Sequence, residues 1–155
     1  MSKIFLILVV FQFKHFLADY RFQGPYMLQK FLPGWDFFWP LVAHCGVHSA
    51  FTLIIVMSVN PSLGWLAGVD FVAHFLMDRI KAGPKYLGRF KALSARDFQK
   101  TMRFKNNMAR IGVPLRPHGV AATKLKHNTL FWWSLGFDQM VHHLTDLFIV
   151  WRLFV

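Results

Sequence analysis

The chain has 155 residues, 55% of them hydrophobic and 16% charged, with a formal net charge of +11. That apolar excess excludes an ordinary soluble domain of this size and points to a membrane protein. The single cysteine, Cys45, excludes an intrachain disulfide and a cysteine-based zinc site.

The run at residues 3–22 predicts a first transmembrane helix, since about 20 residues cross a hydrocarbon core. It carries Lys14, His15 and Asp19 and lacks a small-residue cleavage site, so it reads as a retained helix and not a signal peptide. Gly24-Pro25 and Pro33-Gly34 punctuate the first loop. Residues 37–58 predict the second span, Asn60-Pro61 a tight turn, and residues 63–80 the third and shortest span. A basic insert follows at 81–128. Within it, residues 94–111 read as a basic amphipathic helix lying on the membrane surface, begun by a capping-box-like Ser94 and Asp97. Residues 113–118, with two prolines, read as irregular. Residues 129–155 predict the fourth span. The expected fold is all-α: one membrane domain, a four-transmembrane-helix bundle with a basic cytoplasmic helical insert.

Charge sets the expected orientation. Thirteen of the 18 Lys and Arg lie between Arg79 and Lys126, and that stretch has one acid, Asp97. The turn at Asn60-Pro61 carries no charge. Loops one and three therefore face the cytoplasm and both termini lie outside. The insert would meet anionic lipid headgroups. Nucleic acid is disfavoured, because no recognition motif is present and few aromatics interleave with the charges.

All seven acidic residues are Asp, so their positions are informative. Each predicted span carries His or Asp at i, i+4: His15 and Asp19, His44 and His48, His74 and Asp78, and Asp138, His142 and Asp146. Four residues is just over one helical turn, so each set shares a face. In an antiparallel bundle with the orientation above, all four sets fall in one layer in the cytoplasmic half of the membrane. Intramembrane ionisable groups cost about 2.5–3.5 kcal/mol each on insertion scales and mark function by default. Anionic Asp and neutral His become ligands if a divalent cation is bound. The expected metal set is His15, Asp19, His44, His48, His74, Asp78, Asp138 and His142. That many ligands suits one or two ions, with zinc first and manganese or iron as alternatives. A structural hydrogen-bonded network is the competing account, and it explains one or two pairs better than four.

Outside this set, Gln23 and Gln139 are expected to orient ligands or substrate, with Asp146 on the same face. Asp70, four residues before His74, extends that face or lines an outer cavity. His143 points about 100° from His142 and reads as a flanking residue. His118 and His127 read as solvated loop histidines. Cys45 reads as a buried bland cysteine.

The segments His15-Phe-Leu-Ala-Asp19-Tyr-Arg-Phe-Gln23, His44 with His48, His74-Phe-Leu-Met-Asp78-Arg-Ile-Lys81 and Asp138-Gln139-Met140-Val141-His142 give the chain a family likeness. It resembles the uncharacterised membrane proteins of bacteria and their phages grouped as domain of unknown function 3307. The resemblance covers the four helices and not the basic insert. It implies a multi-pass protein of the bacterial inner membrane, of bacterial or phage origin, and brings no activity with it.

The site chemistry predicts a metal-dependent hydrolase acting on a lipid or lipid-linked substrate from the cytoplasmic side. Asp78 or Asp138 would be the general base, and Lys81, Arg21 and Lys30 would hold an anionic headgroup. Three other classes stay open: a metal-ion or proton transporter, a non-catalytic membrane effector with a structural metal, and a di-iron oxidase. The small bundle leaves room for a homo-oligomer.

Overall fold

The computed structural model describes residues 3–32, 35–82 and 129–155, and these form four α-helices with no strand among them. They are α1 (Lys3–Phe16), α2 (Phe38–Val59), α3 (Leu66–Ala82) and α4 (Thr129–Phe154). The chain divides into two compact units, Met1–Gly83 with Asp138–Val155, and Pro84–Phe137. Of the second unit, residues 129–137 are described, as the first turns of α4. The first unit holds α1, α2, α3 and the rest of α4. The amphipathic helix expected at 94–111, the irregular stretch at 113–118, His118 and His127 lie outside the described residues.

α1 does not stop at Phe16. It widens into a π-turn, Leu17–Arg21, closed by the Phe22 N–H on the Leu17 carbonyl at 3.0 Å. Single π-turns inside helices recur at functional sites because they re-aim the side chains they carry. This one carries Asp19. The first loop then forms a short 3₁₀ segment, Met27–Phe31, that buries Lys30. At the far end of α2 the Asn60 side chain accepts from the Ser62 N–H at 3.2 Å, and Pro61 opens a 3₁₀ turn, Pro61–Leu63. Pro suits that position because its missing N–H has no partner to lose there.

The helices show which faces they bury. Phe11, Val56, Leu66, Ile149, Val150 and Leu153 form an apolar core at one end of the unit. Phe37, Leu41 and Cys45 form a second apolar cluster, against Phe38, Phe71 and Phe75. Buried polar groups share these helices with the two clusters, while large apolar side chains face outward on every helix, among them Ile4, Phe13, Ile54, Leu76 and Leu144. The neighbours Phe13 and Lys14 make the contrast plain, at 63% and 3% exposed. All six tryptophans are exposed. Among the described residues one helix, α2, is both long and apolar enough to cross a membrane. α1 and α3 are shorter, and α4 carries Asp138, Asp146 and Arg152.

Candidate metal centre

The i, i+4 spacing of the polar residues builds three tiers along the helices. The tier next to the apolar core consists of Lys14, Thr52, Asp70 and Asp146. Lys14 Nζ donates to both Asp70 oxygens, at 3.2 and 3.0 Å, and to Asp146 Oδ1 at 3.0 Å. Thr52 Oγ1 donates to Asp70 Oδ2 at 2.7 Å. All four residues are buried.

Next come four imidazoles: His48, His74 and His142, each one turn from Thr52, Asp70 and Asp146 on the same helix, and His15, which directly follows Lys14 on α1. The His48 and His74 ring centroids are 4.0 Å apart, and those of His74 and His142 are 4.1 Å apart with the rings stacked. His15 lies 5.3–5.8 Å from the other three. The third tier holds Asp19, His44, Asp78 and Asp138. Asp19 Oδ1 lies 3.1 Å from His48 Nε2 and 3.5 Å from His44 Nε2. Asp78 Oδ2 lies 3.1 Å from His44 Nε2, and Asp138 Oδ1 lies 3.3 Å from His142 Nε2. Lys30 Nζ sits 2.9 Å from Asp78 Oδ2, and Lys81 pairs with Asp138 Oδ2. This tier reaches the surface, because the Asp19 and Lys81 side chains are 20% and 21% exposed.

The hydrogen bonds fix several tautomers. A backbone carbonyl can only accept, so His74 Nδ1, 3.0 Å from the Asp70 carbonyl, carries the ring proton. His74 Nε2 is then a bare lone pair, and it is buried without a hydrogen bond. His15 Nε2 faces the acceptors Gln139 Oε1 and Asp19 Oδ2, both at 3.2 Å, which leaves Nδ1 as its lone pair. His48 Nε2 donates to Asp19 at 3.1 Å and leaves Nδ1. Both Nδ1 atoms are buried and unpartnered, as is Asp138 Oδ1. Leaving such an atom unsatisfied costs about 1–3 kcal/mol, so several in one cluster need an explanation. A cation that accepts lone pairs fits them. The ligand atoms of His15, His48 and His74 lie within 4.8 Å of one another, as do those of Asp19, His44 and His48, and those of Asp78, Asp138 and His142.

Charge points the same way. Asp19, Asp70, Asp78, Asp138 and Asp146 are joined to Lys14, Lys30 and Lys81 by contacts within the cluster. With neutral imidazoles, five carboxylates against three ammonium groups leave two negative charges. A divalent cation supplies that compensation, and the His–carboxylate donor set suits zinc, manganese or iron.

The eight residues expected as ligands all lie in these lower two tiers. Gln139 joins them through His15 and through its Nε2 on Asp138 Oδ2 at 3.3 Å. Asp146 lies one tier deeper, 4.0 Å from His15 Nδ1. Asp70 extends the His74 face to the base of the cluster, where it accepts from Lys14 and Thr52. His143 is half-buried, its ring 5.1 Å from that of His15. Arg21 and Gln23 are not brought in: Arg21 is exposed on the π-turn, and Gln23 is half-buried with no hydrogen bond to the cluster among the described residues. Lys14 and Thr52 were not anticipated. Lys14 was legible as a charge within an apolar run, and Thr52 as the next i+4 step after His44 and His48. Removing the Thr52 hydroxyl with Thr52→Val should destabilise the protein by about 1.5–3 kcal/mol, because its acceptor is a buried carboxylate. Denaturant unfolding in detergent measures it.

The described residues thus form an all-helical protein whose helices meet over buried histidines and aspartates. The family model described as Protein of unknown function (DUF3307) matches residues 6–155, and the chain belongs to that family. No curated protein and no solved structure matches the chain.

Proposed function

We propose that this is a multi-pass membrane protein of the bacterial inner membrane and a metal-dependent hydrolase. Its substrate would be a lipid or lipid-linked molecule entering from the cytoplasmic side. The observation that carries this is the buried His/Asp cluster with unpartnered lone pairs inside helices whose outer faces are apolar. The exposed apolar residues on all four helices support a lipid-facing exterior, and the exposed tryptophans suit its interfaces.

A divalent ion held by the His and Asp tiers would supply a bound water acidic enough to ionise near neutral pH. Asp78 or Asp138 would act as general base through a carboxylate oxygen that the ion leaves free, and both lie in the tier that reaches the surface. Lys30 and Lys81 stand at that end, and Arg21 would meet the headgroup region from the π-turn. Hydrolysis is favoured over transport because the tiers end next to Phe11, Val56, Leu66 and Ile149, an apolar cluster among the described residues. A transporter needs polar steps past such a cluster, and vesicle flux assays separate the two.

The direct test uses protein in nanodiscs of bacterial lipid, loaded with zinc or manganese, with lipid products read by mass spectrometry. The expected result is a cleavage product that a chelator abolishes and that Asp78→Asn or Asp138→Asn lowers by about 100-fold or more, the range for losing a general base. Metal-loaded protein that leaves every lipid intact would remove the hydrolase reading.

A further inference from the structure

Lys30 and Lys81 hold two of the three carboxylates of the tier at the open end, Asp78 and Asp138, and they do so asymmetrically. Both ammonium groups sit on Oδ2 atoms, of Asp78 and Asp138. The Oδ1 atoms turn the other way, toward His142 Nε2, at 3.9 Å for Asp78 and 3.3 Å for Asp138. Asp138 is 0% exposed, and its Oδ1 has no hydrogen-bond partner. One edge of each carboxylate is therefore neutralised by a lysine, and the other edge faces the shared imidazole.

We propose that Asp78, Asp138 and His142 form one metal site, and that Lys30 and Lys81 flank it as the two arms of a phosphate-binding site that becomes competent only when the metal is bound. This rests on the metal reading above and names the substrate class: a molecule presenting a phosphate group. With neutral imidazoles, the metal-free cluster carries two surplus negative charges, which repel an anion. One divalent ion cancels that surplus, and a second would reverse it. The ammonium groups then act on an anion at the metal's open position and no longer only on the carboxylates. A phosphate group matches this pair of cations and a metal, because its tetrahedrally arranged oxygens can engage several cations at once. The binding order is then metal first, anion second. By linkage the anion must tighten the metal by the same factor that the metal tightens the anion.

Full-length protein in detergent is titrated with zinc at low micromolar concentration, with and without inorganic phosphate. The titration is repeated in phosphatidylcholine nanodiscs with and without phosphatidic acid. The expected result is a tightening of zinc by about 10-fold in at least one arm, within the usual range of coupling between sites. Inorganic phosphate acting alone would assign a free phosphate compound, and phosphatidic acid acting alone would assign a lipid headgroup. In the double variant Lys30→Gln/Lys81→Gln, zinc binds at least as tightly as in the parent when phosphate is absent, because two competing cations are gone and a donor remains on each carboxylate. The coupling disappears, and Lys30→Arg/Lys81→Arg restores it. Coupling retained in the Gln variant, or absent from both arms in zinc-binding protein, overturns the phosphate site and leaves the metal reading standing. Failure to bind zinc at all overturns both.

Discussion

Replacing His74 with alanine should weaken zinc binding by about 100-fold or more. His74 occupies the centre of the imidazole tier, with its ring 4.0 Å from His48 and 4.1 Å from His142. Its proton is committed to the Asp70 carbonyl, so Nε2 has no chemistry left except donation of a lone pair. Four-ligand zinc sites bind with roughly 10–16 kcal/mol of apparent free energy, so one ligand accounts for about 3 kcal/mol. Asp70, 3.2 Å from His74 Nδ1, orients the ring from behind. Asp70→Asn should therefore cost less, about 10- to 100-fold, the range for outer partners of metal-bound histidine. Competition with a chromophoric chelator measures both. Equal affinities in His74→Ala and parent would make His74 a packing residue.

Lys14→Met should destabilise the protein by about 3–5 kcal/mol, because removing one member of a buried ionic group strands the others. Methionine keeps most of the length of the stem, so packing changes little. The loss is that of the only ammonium within reach of Asp70 and Asp146 among the described residues, at 3.0 Å from each. The stranded carboxylates account for the larger part of the penalty. The double replacement Lys14→Met/Asp146→Leu removes one stranded charge as well. It should recover at least half of the loss, because buried ionic groups replaced as a whole by apolar ones are often neutral or better. Denaturant unfolding of the two variants in detergent decides. A silent Lys14→Met would show that the pairing at the base of the cluster does not hold the helices together.

Much of the architecture was legible because two periodicities coincide. The apolar runs mark the four helices, and the i, i+4 recurrence of His and Asp marks the single face that each turns inward. Asn60-Pro61 marked the turn between α2 and α3 because proline restricts the backbone wherever it stands. Other features were hidden for physical reasons. The π-turn at Leu17–Arg21 changes hydrogen-bond register by one residue, and no residue type announces that. Lys14 looks like a defect in an apolar helix until Asp70 and Asp146 are known to face it across 56 and 132 residues of chain. Lys30 reads as a loop charge, and only the 3₁₀ turn at Met27–Phe31 brings it onto Asp78. Arg21 reads as its equal, yet its neighbouring turn leaves it exposed. Long-range pairing of this kind depends on how helices approach one another, which local sequence does not encode.

If the His and Asp tiers hold a metal, the purified protein should carry it. Elemental mass spectrometry of purified, detergent-solubilised protein tests it most directly, with His48→Ala and Asp78→Ala prepared in parallel. One or two equivalents of zinc, manganese or iron are expected in the parent, with loss of metal from both variants. A well-folded parent that carries no metal, and takes none up on incubation with these ions, would contradict a metal site and leave the tiers as a hydrogen-bonded network.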